Sequence, residues 1–599
     1  MRREEYPRPQ FIRKEWLCLN GTWDFAFDDD NLAASQHWEK DSCCLDRKIE
    51  VPFCFESKLS GIQDTSMHDR IFYKRKFTIP DSWSGRRILL HFEAVDYKCR
   101  VFVNEQLCME HTGGNSGFFV DITDYLRPGE QSLAVAVLDP ARDETIPRGK
   151  QYWEEKSAKI WYTRTSGIWQ SVWLEPVQDY HISQVRFTPD IDHDTVFLEA
   201  SFSDYTEEMY LDMEISFQGE LICQDRFLVN NGHIFQRSIH LAKDHIFYRD
   251  VHGRCRYWSP ENPALYDVKL RLTVSGQVTD QVESYFGMRK IHTENGITYL
   301  NNRPYYFKLV LDQGYWKDGI LTAPSDEDFR TDIRLMKEMG FNGCRKHQKV
   351  EDARFLYHAD TMGFLVWGEM ASACLYTEQG VCDYAAEWFD IIRRDYNHPS
   401  IVAWVLFNES WGIPNVQMDS RQQFQTMGMY YMAKSLDPTR LVIGNDGWEM
   451  TRSDICAIHN YAHGSSGEPR KQAFFVSTMQ DKKLLLSCTH AGRSIYAKGY
   501  EHTDEPILIT ECGGINYSSA QTDCWGYTDA DNEKDFLSQY EHVICSILQS
   551  DLVYGFCYTQ LTDVEQETNG LLTYDRTPKC ELSKIRRINE TYRHNIVVD

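Results

Sequence analysis

The spacing of apolar positions changes character twice along the chain. Up to about residue 180, short runs such as Thr22–Phe27, Arg87–Phe92, Cys99–Val103 and Ser132–Val137 recur between turn signals at Asn20-Gly21, Gly113-Gly114 and Pro128-Gly129. Short strands at that spacing predict a β-sandwich. Phe118–Thr123 is read as an edge strand, and Ile168–Leu174, apolar and polar by turns, as the strand that closes the domain. From 181 to about 293, strict alternation in Thr195–Ala200 and Asp267–Val274 predicts a second, immunoglobulin-like sandwich with one wet face. After about 294, wholly apolar runs alternate with helical patterns. Eight strand candidates appear: Tyr305–Leu311, Phe341–Arg345, Phe364–Glu369, Ile401–Glu409, Leu441–Asn445, Ile455–His459, Ile507–Thr510 and Val553–Tyr558. Helices are predicted over Asp326–Met339, Ala353–Met362, Ala385–Tyr396 and Arg421–Leu436. That count predicts a (β/α)8 barrel over 294–599, behind sandwiches at 1–180 and 181–293.

Composition narrows the partners. The 599 residues carry a net charge of −25, which argues against nucleic acid or an anionic membrane surface. No run approaches the roughly 20 apolar residues that span a bilayer, and Met1–Pro7 leads into no signal-like stretch. The 18 Cys are scattered without Cys-x-x-Cys pairs, so free thiols and a cytoplasmic location are expected. Aromatic residues make up 13% of the chain, which suits both sandwich cores and the stacking of sugar rings. No exposed patch can be named, and association into a homo-oligomer stays open.

Residues at the C-terminal ends of barrel strands build the active site. Here those ends read Asp312, Arg345 with His347, Glu369, Asn408-Glu409, Asp446 with Trp448, His459-Asn460-Tyr461, Glu511, and Gln560 with Asp563. Glu409 and Glu511 each follow an apolar strand directly, and two opposed carboxylates are what glycoside hydrolysis needs. Arg345 is placed to hold the second carboxylate ionised, and Tyr461 to donate to it. An Arg345–Glu369 buried ion pair is the plain alternative. His347, His459 and His463 match no zinc spacing, and neither a metal nor a cofactor is expected. Asp563-Val564-Glu565-Gln566-Glu567 is read as a solvated loop.

These residues resemble glycoside hydrolase family 2, which contains β-galactosidases, β-glucuronidases and β-mannosidases. The likeness runs through Leu19–Trp23, Val51-Pro52, Ser166–Gln170, Trp258–Tyr266, Phe286–Arg289, Asn397–Ser400, Asn408–Ser410 and Thr510-Glu511. It implies a jelly-roll sandwich, an immunoglobulin-like sandwich and a catalytic barrel, and a retaining mechanism with carboxyls about 5 Å apart. Glu409 would be the acid/base, Glu511 the nucleophile, Asn408 the partner of the sugar 2-hydroxyl, and Tyr461 the tyrosine beside the nucleophile. Arg345, His347, Asp312, Trp448 and Gln560 complete the expected carbohydrate-binding set. Departures from the family pattern occur at Cys512, at Lys346-His347-Gln348 and at Thr559. Asn569-Gly570-Leu571 stands where β-glucuronidases carry an Asn-x-Lys pair that reads the carboxylate. The expectation is therefore an exo-acting β-galactosidase taking a terminal neutral sugar. Glucuronide, mannoside or α-L-arabinopyranoside specificity is the alternative, and a non-catalytic carbohydrate-binding protein the more distant one.

Overall fold

A computed structural model describes residues 3–230, 232–241, 256–487, 491–517 and 524–591. Three separate apolar cores account for the architecture. The first lies between a six-stranded and a four-stranded antiparallel sheet and contains Trp23, Tyr73, Val135 and Leu174. The second sits in a three-plus-four-stranded sandwich around Leu198, Met213 and Leu270. The third fills the C-terminal barrel. Among the described residues no helix is long and apolar enough to cross a membrane.

Ile168–Leu174 is not one strand. Gly167–Ile168 and Val172–Val177 are separate strands in different sheets, with Trp169 between them. Every residue from Ile168 to Leu174 is buried, so the apparent alternation does not mark a wet face. Trp169 donates through Nε1 to the Gly114 carbonyl at 2.9 Å. It joins a small cluster in which Cys54, Ala94 and Tyr162 of the first sandwich meet Tyr315, Ile320, Leu321 and Val564 of the barrel.

The barrel strands are β1 (Phe307–Asp312), β2 (Gly343–Lys346), β3 (Leu365–Glu369), β4 (Ile401–Val405), β5 (Leu441–Ile443), β6 (Cys456–His459), β7 (Ile507–Gly513) and β8 (Val553–Thr559). All run parallel, and β1 pairs with both β2 and β8. Between β5 and β6 the circle is joined by bonds beyond the strands, including His459 N–H to the Gly447 carbonyl at 3.4 Å. Their side chains read as continuous apolar runs because helices cover the outside while the inside is packed. The helix before β4 begins at Glu378, a full two turns earlier than the sequence pattern suggests. Thr377 caps it by accepting from the Gly380 amide at 2.9 Å, and glycine in the first turn hides the period.

Asn397-His398-Pro399-Ser400 lies at the bottom of β4, remote from Glu409, and works as a docking joint. Asn397 bonds the backbone of Val185 and Phe187 in the second sandwich. Arg289 reaches back to the carbonyls of Pro399, Ile401 and Thr439. Burial pushes the Arg289 guanidinium down to about 9, with the charge of Arg440 adding to it.

Candidate active site

Strand β4 ends at Val405, earlier than its apolar run implies, and Leu406 and Phe407 continue as buried irregular chain. The backbone then turns sharply, with Glu409 at φ 51° and Ser410 at φ 62°. Such left-handed conformations are costly for non-glycine residues and persist where surrounding contacts fix them. Here the fixing contacts come from the segment after β5. The Asp446 amide donates to Phe407, the Glu409 amide donates to Asp446, and Ser410 Oγ donates to Glu449 Oε2 at 2.7 Å. The turn leaves Glu409 half-buried and aimed across the mouth at Glu511 of β7.

Arg345, fully buried at the end of β2, organises the floor. Its Nε meets Glu369 of β3. Nη1 forms an ion pair with Asp446 Oδ2 at 2.7 Å and donates to the Thr510 carbonyl at 3.0 Å. Nη2 donates to Asn408 Oδ1 at 2.6 Å and forms an ion pair with Glu511 Oε1 at 2.9 Å. His347 Nδ1 lies 2.9 Å from the same Nη2 and 3.1 Å from Glu369 Oε2. One guanidinium thus touches groups on β3 and β7 and just past the ends of β2, β4 and β5, a use of its planar fork that lysine cannot copy. On the other side of Glu511, Tyr461 donates to Oε2 at 2.6 Å and stands 2.8 Å from Thr559 Oγ1. Tyr527 stacks on Tyr461 with ring centroids 3.5 Å apart.

His459 is the residue that sequence reasoning undervalued. It is wholly buried among carboxylates: Nδ1 is 2.9 Å from Glu409 and 3.4 Å from Glu511, and Nε2 is 3.2 Å from Asp446. Arg345 Nη1 lies 3.4 Å away and the Trp448 ring meets it edge-on at 5.7 Å. Burial alone would lower its pKa, but the charges of Glu511 and Asp446 override it and carry the imidazolium to about 10. Asp446 is the counterpart. Burial would raise it, yet Arg345 and His459 hold it down at about 2. The ring enters because Gly447 leaves room, since a Cβ there would sit 2.7 Å from His459 Nδ1.

One oxygen each of Glu409 and Glu511 and His459 Nδ1 all lie within 4.8 Å of one another. The raised pKa of His459 favours its imidazolium form, a positive bridge between the two carboxylates. His459 contributes stability through its raised pKa. That contribution is complete below about 6.5, the ordinary histidine value, and is lost as pH rises through about 10. A His459→Asn variant is expected to show a flatter melting temperature between pH 7 and 10 than the parent. Parallel curves would remove His459 as a buried cation.

The expected residues do not all converge. Glu409, Glu511, Asn408, Arg345, His347 and Tyr461 share one bonded cluster, with Trp448 at its edge. Asp312 is held below by Lys346 Nζ at 2.6 Å and the Gly314 amide at 2.8 Å. Gln560, fully buried, accepts from Gln313 at 2.7 Å. Glu567 is not on a solvated loop. It is buried and accepts the Tyr162 hydroxyl at 2.5 Å, while Glu565 accepts the Thr163 amide at 3.1 Å. The loop after β8 is a joint with the first sandwich, hidden from sequence because its partners lie some 400 residues away. Four aromatic rings from both domains flank the mouth. Trp161 packs edge-on against Trp411, two residues past Glu409, with centroids 4.9 Å apart, and Trp153 and Tyr152 adjoin it.

Two carboxylates facing each other at the C-terminal mouth of a parallel barrel, one clamped by arginine and tyrosine, define a glycoside hydrolase. Family comparisons agree along the chain. Residues 17–176 match the sugar binding domain of glycosyl hydrolases family 2, 180–289 its central domain and 291–593 its TIM barrel domain. The chain belongs to glycosyl hydrolase family 2. It is 28% identical over 443 residues to a putative β-glucuronidase of Formosa agariphila, over 72% of this chain and 50% of that one. A β-galactosidase of Thermoanaerobacter pseudethanolicus is 27% identical over 57% of this chain and 44% of its own length. The chain thus spans half or less of the length of these two relatives. A β-glucuronidase of Paenibacillus borealis is 23% identical over 96% of this chain and 97% of its own. In fold, the chain is similar to a Ruminococcus gnavus β-glucuronidase solved with D-glucuronic acid, with TM-score 0.78, 19% identity, and coverage of 98% and 100%.

Proposed function

We propose that the protein is a retaining exo-β-glycosidase in which Glu511 is the nucleophile and Glu409 the acid/base. The observation that carries this reading is the separation of the two carboxylates, oxygen atoms within 4.8 Å. Retaining enzymes hold their carboxyl groups about 5–5.5 Å apart, whereas inverting enzymes leave about 6.5–9.5 Å for a water between them. Arg345, 2.9 Å from Glu511 Oε1, and Tyr461, donating to Oε2 at 2.6 Å, hold the Glu511 carboxyl in place for attack on the anomeric carbon. Glu409, the more exposed carboxyl, faces the aromatic flank where a departing aglycone leaves, and protonates its oxygen. The covalent glycosyl ester on Glu511 then opens to water, with Glu409 now taking the proton. As negative charge passes from Glu511 to Glu409 in the first half, the His459 imidazolium, within 3.4 Å of both, stays beside it.

For the sugar, the relatives favour a β-glucuronide over the galactoside expected from sequence, because β-glucuronidases predominate among them, including those matched end to end. A β-galactoside is the second reading. It is supported by Leu571, a buried apolar residue in the loop after β8, and by the β-galactosidases of Thermoanaerobacter and Leuconostoc. Nitrophenyl β-glucuronide, β-galactoside, β-mannoside and α-L-arabinopyranoside assayed side by side test the choice. Glucuronide is expected to give the highest kcat/KM, and faster turnover of a neutral glycoside would reverse it.

A further inference from the structure

Cations around the barrel mouth are almost all engaged by protein. Arg345 distributes its donors as above. Lys346 lies between Asp312 and Glu351 at 2.6 and 2.7 Å. Lys349 bonds Glu351 at 3.0 Å and the carbonyls of Gly314 and Leu321. Lys579 holds Asp563 at 2.6 Å and the Thr568 carbonyl at 2.8 Å. Lys150 differs. It is nine-tenths buried, at 9% exposure, and among the described residues its ammonium has no hydrogen-bond acceptor and no ion-pair partner. The group rests instead near the rings of Trp161 and Tyr162, 5.7 and 5.6 Å from their centroids. Its stem is buried while the ammonium tip keeps contact with solvent, which leaves that tip open to a ligand.

Its place is fixed by the backbone. The amides of Arg148 and Gly149 both donate to the Ser372 carbonyl at 3.0 Å, and the Lys150 carbonyl accepts from Tyr162 at 2.9 Å. Gly149 has φ 59°, and a Cβ there would meet the Gln348 carbonyl at 2.4 Å, so the first sandwich is pressed against the loop after β2. The neighbouring Trp161 reaches the rim at Trp411, beside Glu409. The negative group nearest in effect is Glu567, whose oxygens already accept from Tyr162 and Asn569. Burial raises the Glu567 pKa, and Lys150 opposes that rise without closing to an ion pair.

We propose that Lys150, donated by the first sandwich domain, is the residue that reads the carboxylate of a terminal uronic acid in the sugar pocket. This rests on the uronide reading above. A carboxylate accepts from an ammonium strongly, and binding it would give this cation the ion pair it lacks among the described residues. Among the described residues the acidic groups there are each matched by Arg345, His459, Tyr461, Tyr162 or Asn569, which leaves the Lys150 ammonium for a ligand.

The test compares the parent with Lys150→Met and Lys150→Arg on nitrophenyl β-glucuronide and β-galactoside, with melting temperatures alongside. Lys150→Met is expected to lower the glucuronide-to-galactoside ratio of kcat/KM by about 100-fold, chiefly through KM, with Lys150→Arg in between. Its melting temperature should stay close to the parent's, because the ammonium makes no hydrogen bond or ion pair among the described residues that the change would break. A parent that hydrolyses glucuronides, with the ratio unchanged in Lys150→Met, would overturn the role of Lys150 alone. A parent that turns over galactoside but no glucuronide would overturn the uronide reading and the role together. A marked fall in melting temperature without a change in ratio would make Lys150 a structural partner of Glu567.

Discussion

Replacing Glu511 by alanine is expected to lower kcat/KM by at least about 10⁴-fold on every glycoside the protein hydrolyses, with little loss of fold. The carboxyl is pinned from both sides, by Arg345 Nη2 at 2.9 Å and Tyr461 at 2.6 Å, so the parent presents its oxygens in one orientation. Removing it leaves no carboxylate at that position on β7 to form the ester. Glu409→Ala should behave differently. Its loss should fall mainly on substrates with poor leaving groups, because a good leaving group departs without a proton. A dinitrophenyl glycoside would then be affected far less than an alkyl glycoside. Equal losses on both substrates would remove Glu409 as the acid.

The second large effect is expected at Arg345. Arg345→Met leaves Glu369, Asp446 and Glu511 buried without their common cation, and losing one member of a buried pair costs about 3–5 kcal/mol. Urea unfolding of the barrel should show that loss, together with a fall in activity of at least about 100-fold. Arg345→Lys keeps the charge but not the fork, so it should recover part of the stability while Asn408 and Glu511 lose their fixed spacing. If Arg345→Met unfolded like the parent, the network would be ornamental.

Much of this was legible in the sequence, and what was not has a common cause. Ile401–Val405 is an apolar run too short for a helix, and Glu409 and Glu511 stand where such runs break, so both the barrel and the two carboxylates followed from pattern. Arg345 and Tyr461 were likewise placed by their position at strand ends. The left-handed turn at Glu409 was not, because it depends on bonds from the segment after β5. His459 reads as one more buried histidine until three carboxylates from three other strands are added around it. Lys150 and Glu567 were invisible for the same reason. Their meaning arises where a loop of the first sandwich meets the loop after β8. Local periodicity predicts elements, whereas charge balance in a pocket is a sum over distant parts of the chain.

The choice of sugar depends on that sum, whereas the proposed reaction turns on the roles assigned to Glu409 and Glu511. The most direct measurement is therefore azide rescue with product analysis by NMR. Adding azide to Glu511→Ala with an activated β-glycoside is expected to restore turnover and yield the α-glycosyl azide, and Glu409→Ala should yield the β-glycosyl azide. A β-azide from Glu511→Ala, or rescue of neither variant, would contradict the assignment of nucleophile and acid/base on which the mechanism rests.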